Sequence, residues 1–171
     1  GHGLGATPQV IITKEMNGTD YWHMYHHNLS TNHNLFLNVT NAQSNPSDGT
    51  LANVGSSTFG FQGSSNVVAV NESGKNNIGY CFVEKTGYGK FGQYSGNGDS
   101  NGRFIYTGFA PSWILIKNAH GATNSGSVSW TIHDNKRDSF NPSTKFLYAD
   151  LSNTEAENSA HAVDLLSNGF K

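Results

Sequence analysis

The chain contains eight histidines, and His23, His26, His27 and His33 crowd into one short stretch where a metal site would be sought first. Zinc takes its ligands at bonds of about 2 Å, so the side chains must converge on one point. The run Tyr21-Trp-His-Met-Tyr-His-His27 reads instead as a β-strand, which rises about 3.3 Å per residue and turns successive side chains to opposite faces. His23 and His27 then share a face but stand roughly 13 Å apart, and His26 and His27 point in opposite directions. The expectation is no metal site; His2 or His33, reaching in from a loop or a neighbouring chain, would be needed to complete one.

Other chemistry finds equally little purchase. The opening Gly1-His-Gly-Leu-Gly5 has the glycines of a phosphate loop, but such loops follow a strand and open a helix, whereas here Pro8 and a strand come next. Glycoside hydrolysis requires two carboxylates about 5–9 Å apart across a cleft. Asp134 and Asp138 fall in one loop and Asp150, Glu155 and Glu157 in another, with nothing in their spacing to mark such a pair. Asp134 and Arg137 are expected to form a structural ion pair. Cys81, the single cysteine, lies in the run IGYCFVE and reads as a small buried hydrophobe with no intrachain partner. No catalytic residue and no cofactor are predicted, and the chain is expected not to be an enzyme.

Sugar recognition suits the composition better, because aromatic rings stack on apolar sugar faces and amides bond hydroxyls. The turns spanning 25–34 and 133–141 carry that combination. The candidate ligand-binding residues are Tyr25, His27, Asn34, His133, Asp134, Arg137 and Asn141.

The elements that must position these residues read as β throughout. Runs of four to eight residues rich in Val, Ile, Tyr, Phe and Trp alternate with clusters of Gly, Asn, Ser and Pro, the pattern of a sandwich or barrel. Strands are predicted near 8–14, 20–26, 34–39, 58–62, 66–70, 77–84, 90–95, 103–108, 111–117, 128–134, 145–149 and 162–167. Helix is confined to a turn or two within SNTEAENSAHAVDLL, with Ser152 as N-cap and Glu155 three residues on. In YWHMYHH, Trp22 and Met24 are expected to face the core. A hydrophobic content of 35% supplies one or two domains with ordinary cores. Charged residues make up 13% and the formal net charge is −2, so no electrostatic footprint for nucleic acid is present. No run approaches the roughly 20 apolar residues of a bilayer span, and the first residues lack the basic and apolar regions of a secretion signal.

One unit is written twice. Pro8-Gln-Val-Ile-Ile-Thr-Lys14 is echoed by Pro111-Ser-Trp-Ile-Leu-Ile-Lys117. Trp22-His-Met-Tyr-His26 is echoed by Trp130-Thr-Ile-His-Asp134, Leu35-Phe-Leu37 by Phe146-Leu-Tyr148, and Phe59 by Phe170. The echoes keep their order, and their spacing drifts through loop insertions such as AHGATNSGS, as in a duplicated module. The fold class predicted is all-β: tandem, antiparallel, jelly-roll-like β-sandwich units over 1–97 and 98–171, the second incomplete at its C-terminal end. Trp22 and Trp130 should then occupy matching places.

The succession GHGLGATPQVIITK, YWHMYHHNLS, NLFLNVTNA, NNIGYCFVEKTGYGKFGQYSGNG, GRFIYTGFAPSWILIK and FLYADLSNTEAENS resembles a repeated β-rich domain of tail-fibre and other virion structural proteins of marine tailed phages. That domain often stands beside concanavalin- or laminin-G-like jelly-roll modules. The resemblance covers nearly the whole chain, and YSGNG with GRFIYTGFAPSWILIK is its most specific block. Relatives in that group carry Tyr-Asp and Arg-Asn where this chain has His133-Asp134 and Arg137-Asp138, and no catalytic residue carries over. The resemblance implies a virion structural or adhesive module on the particle surface or tail, outside the cell, and the aromatic and amide residues named above make host-surface glycans its candidate ligand. It also implies missing strands, hence sheet edges that recruit further copies or neighbouring virion proteins. A cellular adhesin or extracellular filament subunit, or a glycan depolymerase, are the alternatives.

Overall fold

The structure, a computed structural model, describes residues 1–45, 50–62, 70–120 and 129–171. The described chain is nearly all β. Its strands are β1 (Val10–Glu15), β2 (His23–His26), β3 (Leu35–Phe36), β4 (Leu51–Ala52), β5 (Gly60–Phe61) and β6 (Asn77–Phe82). They continue with β7 (Ile105–Tyr106), β8 (Trp113–Ile116), β9 (Thr131–Asp134), β10 (Lys145–Tyr148), β11 (Ala156–Glu157), β12 (Leu165–Leu166) and β13 (Gly169–Phe170). Two compact units result, 1–84 with 118–128 and 85–117 with 129–171, so residues 85–97 group with the second unit. All pairings are antiparallel.

In unit 1, β1 is built of β-branched residues that fit a pleated surface, and it lies between β2 and β6 in the order β3-β2-β1-β6. In unit 2 the order is β11-β10-β9-β8. The two ladders share one register. Val10 faces His26 and Ile12 faces Met24 in unit 1, as Trp113 faces Asp134 and Leu115 faces Ile132 in unit 2. The entry bond recurs as well: His27 N–H donates to Gln9 O at 2.9 Å, and Asn135 N–H donates to Ser112 O at 3.1 Å.

A hydrogen bond at each tryptophan sets the third strand. Trp22 N–H donates to Asn38 Oδ1 at 3.0 Å and Trp130 N–H to Asp150 Oδ1 at 3.2 Å. Their carbonyls accept from Leu37 N–H at 2.9 Å and Ala149 N–H at 3.1 Å. The correspondence is therefore Leu35 with Leu147 and Phe36 with Tyr148, one residue away from the pairing suggested by the apolar triplets. The closing hairpins match likewise. Leu51 faces Phe61 and Leu165 faces Phe170, so Phe170 corresponds to Phe61 rather than Phe59.

The tryptophan backbones match, but the indoles have different neighbours. Trp22 is half-buried and stacks on Tyr80 of β6 with centroids 6.5 Å apart. Trp130 is buried, with Lys117 Nζ 5.7 Å from its centroid. Met24 is buried as expected, yet the opposite face is the more consistently interior one, carrying Ile11, Thr13, Glu15, His23, Asn34 and Phe36. Full burial of a side chain such as Ile11 contributes about 1.5–3 kcal/mol.

Several elements differ from expectation. No strand forms at 90–95. Strands β4, β11 and β13 were not predicted. Most of the predicted strand 66–70, the start of that at 128–134 and most of the AHGATNSGS insertion lie outside the described residues. The helical segment is a single 3-10 turn, Ser159–His161, capped by Asn158 rather than Ser152. Asn158 Oδ1 accepts from Ala160 N–H at 2.8 Å there, while Glu155 is held by Arg137.

Candidate functional site

In unit 2 the chain leaving β9 forms a loop, 135–142, that is held at three points. Asp134 Oδ1 accepts from Lys136 N–H at 2.9 Å and Arg137 N–H at 3.0 Å, and its Oδ2 lies 2.9 Å from Arg137 Nε. Arg137 Nη1 also donates to Glu155 Oε2 at 2.6 Å, so the guanidinium bridges two carboxylates. Asp138 Oδ2 accepts from Thr144 N–H and Lys145 N–H, both at 2.7 Å. Asn141 binds the backbone of Leu165 in both directions, donating to its carbonyl at 2.8 Å and accepting from its N–H at 3.0 Å.

These contacts set the carboxylates' charge state. Desolvation pushes the Asp134 carboxyl upward, but the bonds from Lys136 and Arg137 outweigh it and hold the group below the usual aspartate range. The Lys145 and Thr144 N–H groups, against a smaller desolvation effect, do the same for Asp138. Both remain ionised at neutral pH, which suits holding a loop and does not suit donating a proton.

The loop so fixed presents Phe140, with 87% of its surface exposed. Beside it lies an open cleft of about 290 Å³ whose lining includes Ala110, Pro111, Asn135, Asp138, Ser139 and Leu166. The structure assigns no hydrogen bond to the exposed Asn135 and Ser139 side chains, which leaves an aromatic face and free polar groups at one place. Rings of this kind stack on the apolar faces of sugars while amides and hydroxyls take up their hydroxyl groups.

The candidate residues divide between the two units. Asp134, Arg137 and Asn141 come together around the loop, but as its supports. His133 is 1% exposed and stacks on Phe146 with centroids 5.4 Å apart, inside the core. Burial, and next the neighbouring His161, lower its pKa, so it stays neutral. In unit 1, Asn34 is 0% exposed, with its Nδ2 3.0 Å from His23 Nδ1. Tyr25 is half-buried and its hydroxyl is pushed up by desolvation, while His27 is exposed beside His26 at 5.0 Å between centroids. Neither Asn34 nor His133 has surface to offer a ligand. Phe140, Asn135 and Ser139 do, and the available signal was an aromatic ring stranded in the polar turn Asp138-Ser-Phe-Asn-Pro142.

A second open cleft, about 460 Å³, lies in unit 1 beside Glu15, Gly18, Thr19, Asp20, Tyr21 and Lys75. Its interior charge is already matched. Glu15, 5% exposed, meets Lys75 Nζ at 3.0 Å, and a side chain at Gly18 would collide with the Glu15 carboxylate. Among the described residues no three His, Cys, Asp or Glu side chains gather in a way that could hold a metal ion. Cys81 is only partly buried, its thiol pushed up by desolvation. No helix among the described residues is long and apolar enough to cross a membrane.

A family described as "Domain of unknown function (DUF7483)" matches residues 1–171. No curated protein and no solved structure matches the chain.

Proposed function

We propose, given that the chain belongs to the DUF7483 family over residues 1–171, that it is a non-enzymatic structural and adhesive module on the outer surface or tail of a tailed phage. It would be built as tandem jelly-roll-like sandwiches. The observation that carries this reading is the recurrence of one ladder with one register in both units. Repeating a backbone framework while varying its side chains suits a part that holds shape along an extended assembly, where each unit needs to meet only its neighbours. The resemblance of the sequence to virion structural repeats supplies the setting, and the charge-poor composition fits a surface that binds neither nucleic acid nor membrane.

The adhesive part is assigned to the cleft beside Phe140, with host-surface glycans as ligand. A glycan array probed with the purified chain is the test. Retention on a defined set of envelope glycans, weakened at least tenfold by Phe140→Ala and unchanged by Tyr88→Ala, is the expected result. Tyr88 serves as the control because it is 85% exposed but does not line the cleft. Failure of any glycan to bind above background, or equal loss with both variants, would end the adhesive reading. Antibody against the chain should also decorate intact particles of a phage that encodes it, and undecorated particles would end the virion reading.

A further inference from the structure

We infer that the cleft beside Phe140 selects glycans that carry an unacetylated amino sugar, whose protonated amine donates to the unspent carboxylate oxygen of Asp138 while a sugar face lies on the Phe140 ring. This names the ligand class of the adhesive reading above and rests on that reading.

The polar groups of the loop divide into those already spent and those left over. Both oxygens of Asp134 are engaged, Oδ1 by the Lys136 and Arg137 N–H groups and Oδ2 by Arg137 Nε. Asn141 spends both ends of its amide on Leu165. Asp138 is different. Its Oδ2 accepts from the Thr144 and Lys145 N–H groups at 2.7 Å each and from the Thr144 hydroxyl at 3.5 Å, and the structure assigns no bond to Oδ1. One oxygen anchors the loop to the start of β10, and the other keeps its acceptor capacity.

Among the described residues, Asp138 is also the single charged side chain that lines this cleft. The Lys145 and Thr144 N–H groups hold its carboxyl below the usual range, so the charge is present at neutral pH. Lys145, whose ammonium also favours that charge, does not line the cleft and forms no ion pair with Asp138. A carboxylate and an exposed ring at one place suit a cation in two ways. The carboxylate accepts a charge-assisted hydrogen bond, roughly twice as strong as a neutral one, and the ring offers its negative face. The sugar hydroxyls fall to Asn135 and Ser139, whose side chains are exposed and unbonded. N-acetylation replaces an ammonium that has three donors with a neutral amide that has one, and a carboxylated sugar sets like charge against Asp138. The expected order is therefore amine over N-acetyl over acidic glycan.

The probes are the β-1,4-linked tetramer of glucosamine and its fully N-acetylated counterpart, which share one backbone and differ at the amine. Each is titrated into the full chain while its amides are followed by NMR, at about pH 6, where a sugar amine is protonated and an aspartate of low pKa is ionised. The glucosamine tetramer should bind at least about fivefold tighter, shift the Asn135, Ser139 and Phe140 amides, and lose its advantage as salt is raised. Asp138→Asn keeps an oxygen for the Thr144 and Lys145 N–H groups but removes the charge, and should bring the two affinities together without weakening the acetylated probe. Glu157→Gln, which removes an exposed charge outside the cleft, should leave the preference intact. If Asp138→Asn disturbs the unit 2 spectrum, the preference of the unaltered chain and its salt dependence decide the matter. Equal affinity of the unaltered chain for the two tetramers, no binding of the glucosamine tetramer at millimolar concentration, or a preference that survives in a folded Asp138→Asn chain would overturn the amine inference. The adhesive reading outlives that result wherever glycans are still retained on the array through Phe140, and falls with it where no glycan is retained.

Discussion

Where unit 1 buries Asn34 against His23, unit 2 buries Phe146 at the same ladder position against His133. The backbone equivalence is close, since Asn34 bridges to Ser44 just before β3 and Phe146 pairs with Ala156 on β10, each one residue before the Leu35 or Leu147 that faces β2 or β9. The chemistry is opposite. Unit 1 fills the place with an amide 3.0 Å from an imidazole nitrogen, and unit 2 with a ring stacked between His133 at 5.4 Å and His161 at 4.9 Å. A buried polar pair stabilises little beyond satisfying itself, whereas a buried ring contributes through area and dispersion. The main-chain ladder, with its Asn38 and Asp150 bonds to the tryptophan N–H groups, is what the two units share, while the side chains beneath it differ.

The largest expected effect falls on the aromatic side of the comparison. Phe146→Ala removes a 1%-exposed ring and three aromatic contacts, and should destabilise unit 2 by about 3–5 kcal/mol. Urea unfolding followed by NMR would read each unit through its own amides. A loss below about 1 kcal/mol would mean that the ring is not the centre of that core.

On the polar side the expected loss is smaller and of another kind. Asn34→Ala leaves the His23 Nδ1 atom buried without its partner, at a cost of about 1–3 kcal/mol. If the two sites are interchangeable, His23→Thr with Asn34→Phe, which installs the residues found at the corresponding positions Thr131 and Phe146, should recover part of that loss. A double variant weaker than the sum of its parts would break the equivalence.

Much of this framework was legible in the sequence, and the limits have physical causes. The paired runs at 8–14 and 111–117 and the two tryptophan segments announce their repetition because Pro8, Ile11 and Lys14 recur in order as Pro111, Ile114 and Lys117, followed by Trp22 as Trp130. The third strand slips by one residue because Leu35-Phe-Leu37 and Phe146-Leu-Tyr148 are apolar throughout, and an unbroken apolar run has no period from which register can be read. The polar signal was Asn38 and Asp150, whose side chains fix the register through the tryptophan N–H groups. His23 and Asn34 look like surface residues in sequence because each is polar alone, and they enter the core as a hydrogen-bonded pair. At the site, the turn 133–141 contained the exposed Phe140, but Asp134, Arg137 and Asn141 drew attention as charged or amide groups whose bonds are in fact spent on the loop itself.

Acid offers the finest comparison of the units. Burial lowers the pKa of His23 and His26 in unit 1 and of His133 in unit 2, and His26, with the nearby His27 adding to the effect, is lowered from 6.5 to about 4. A histidine whose folded pKa is depressed binds more protons when unfolded, so its stabilising contribution is complete above about pH 6.5 and is lost as pH falls toward the folded value. Both units should therefore weaken between pH 6.5 and 4. For His26, discounted for the partial exposure of its ring, the loss is on the order of 1 kcal/mol. His26→Gln should flatten the pH dependence of unit 1 by that amount and leave the slope in unit 2, where His133 acts, unchanged. NMR titration of the ring protons provides the check, and a His26 midpoint above pH 6 would remove the basis for a pH response at that residue.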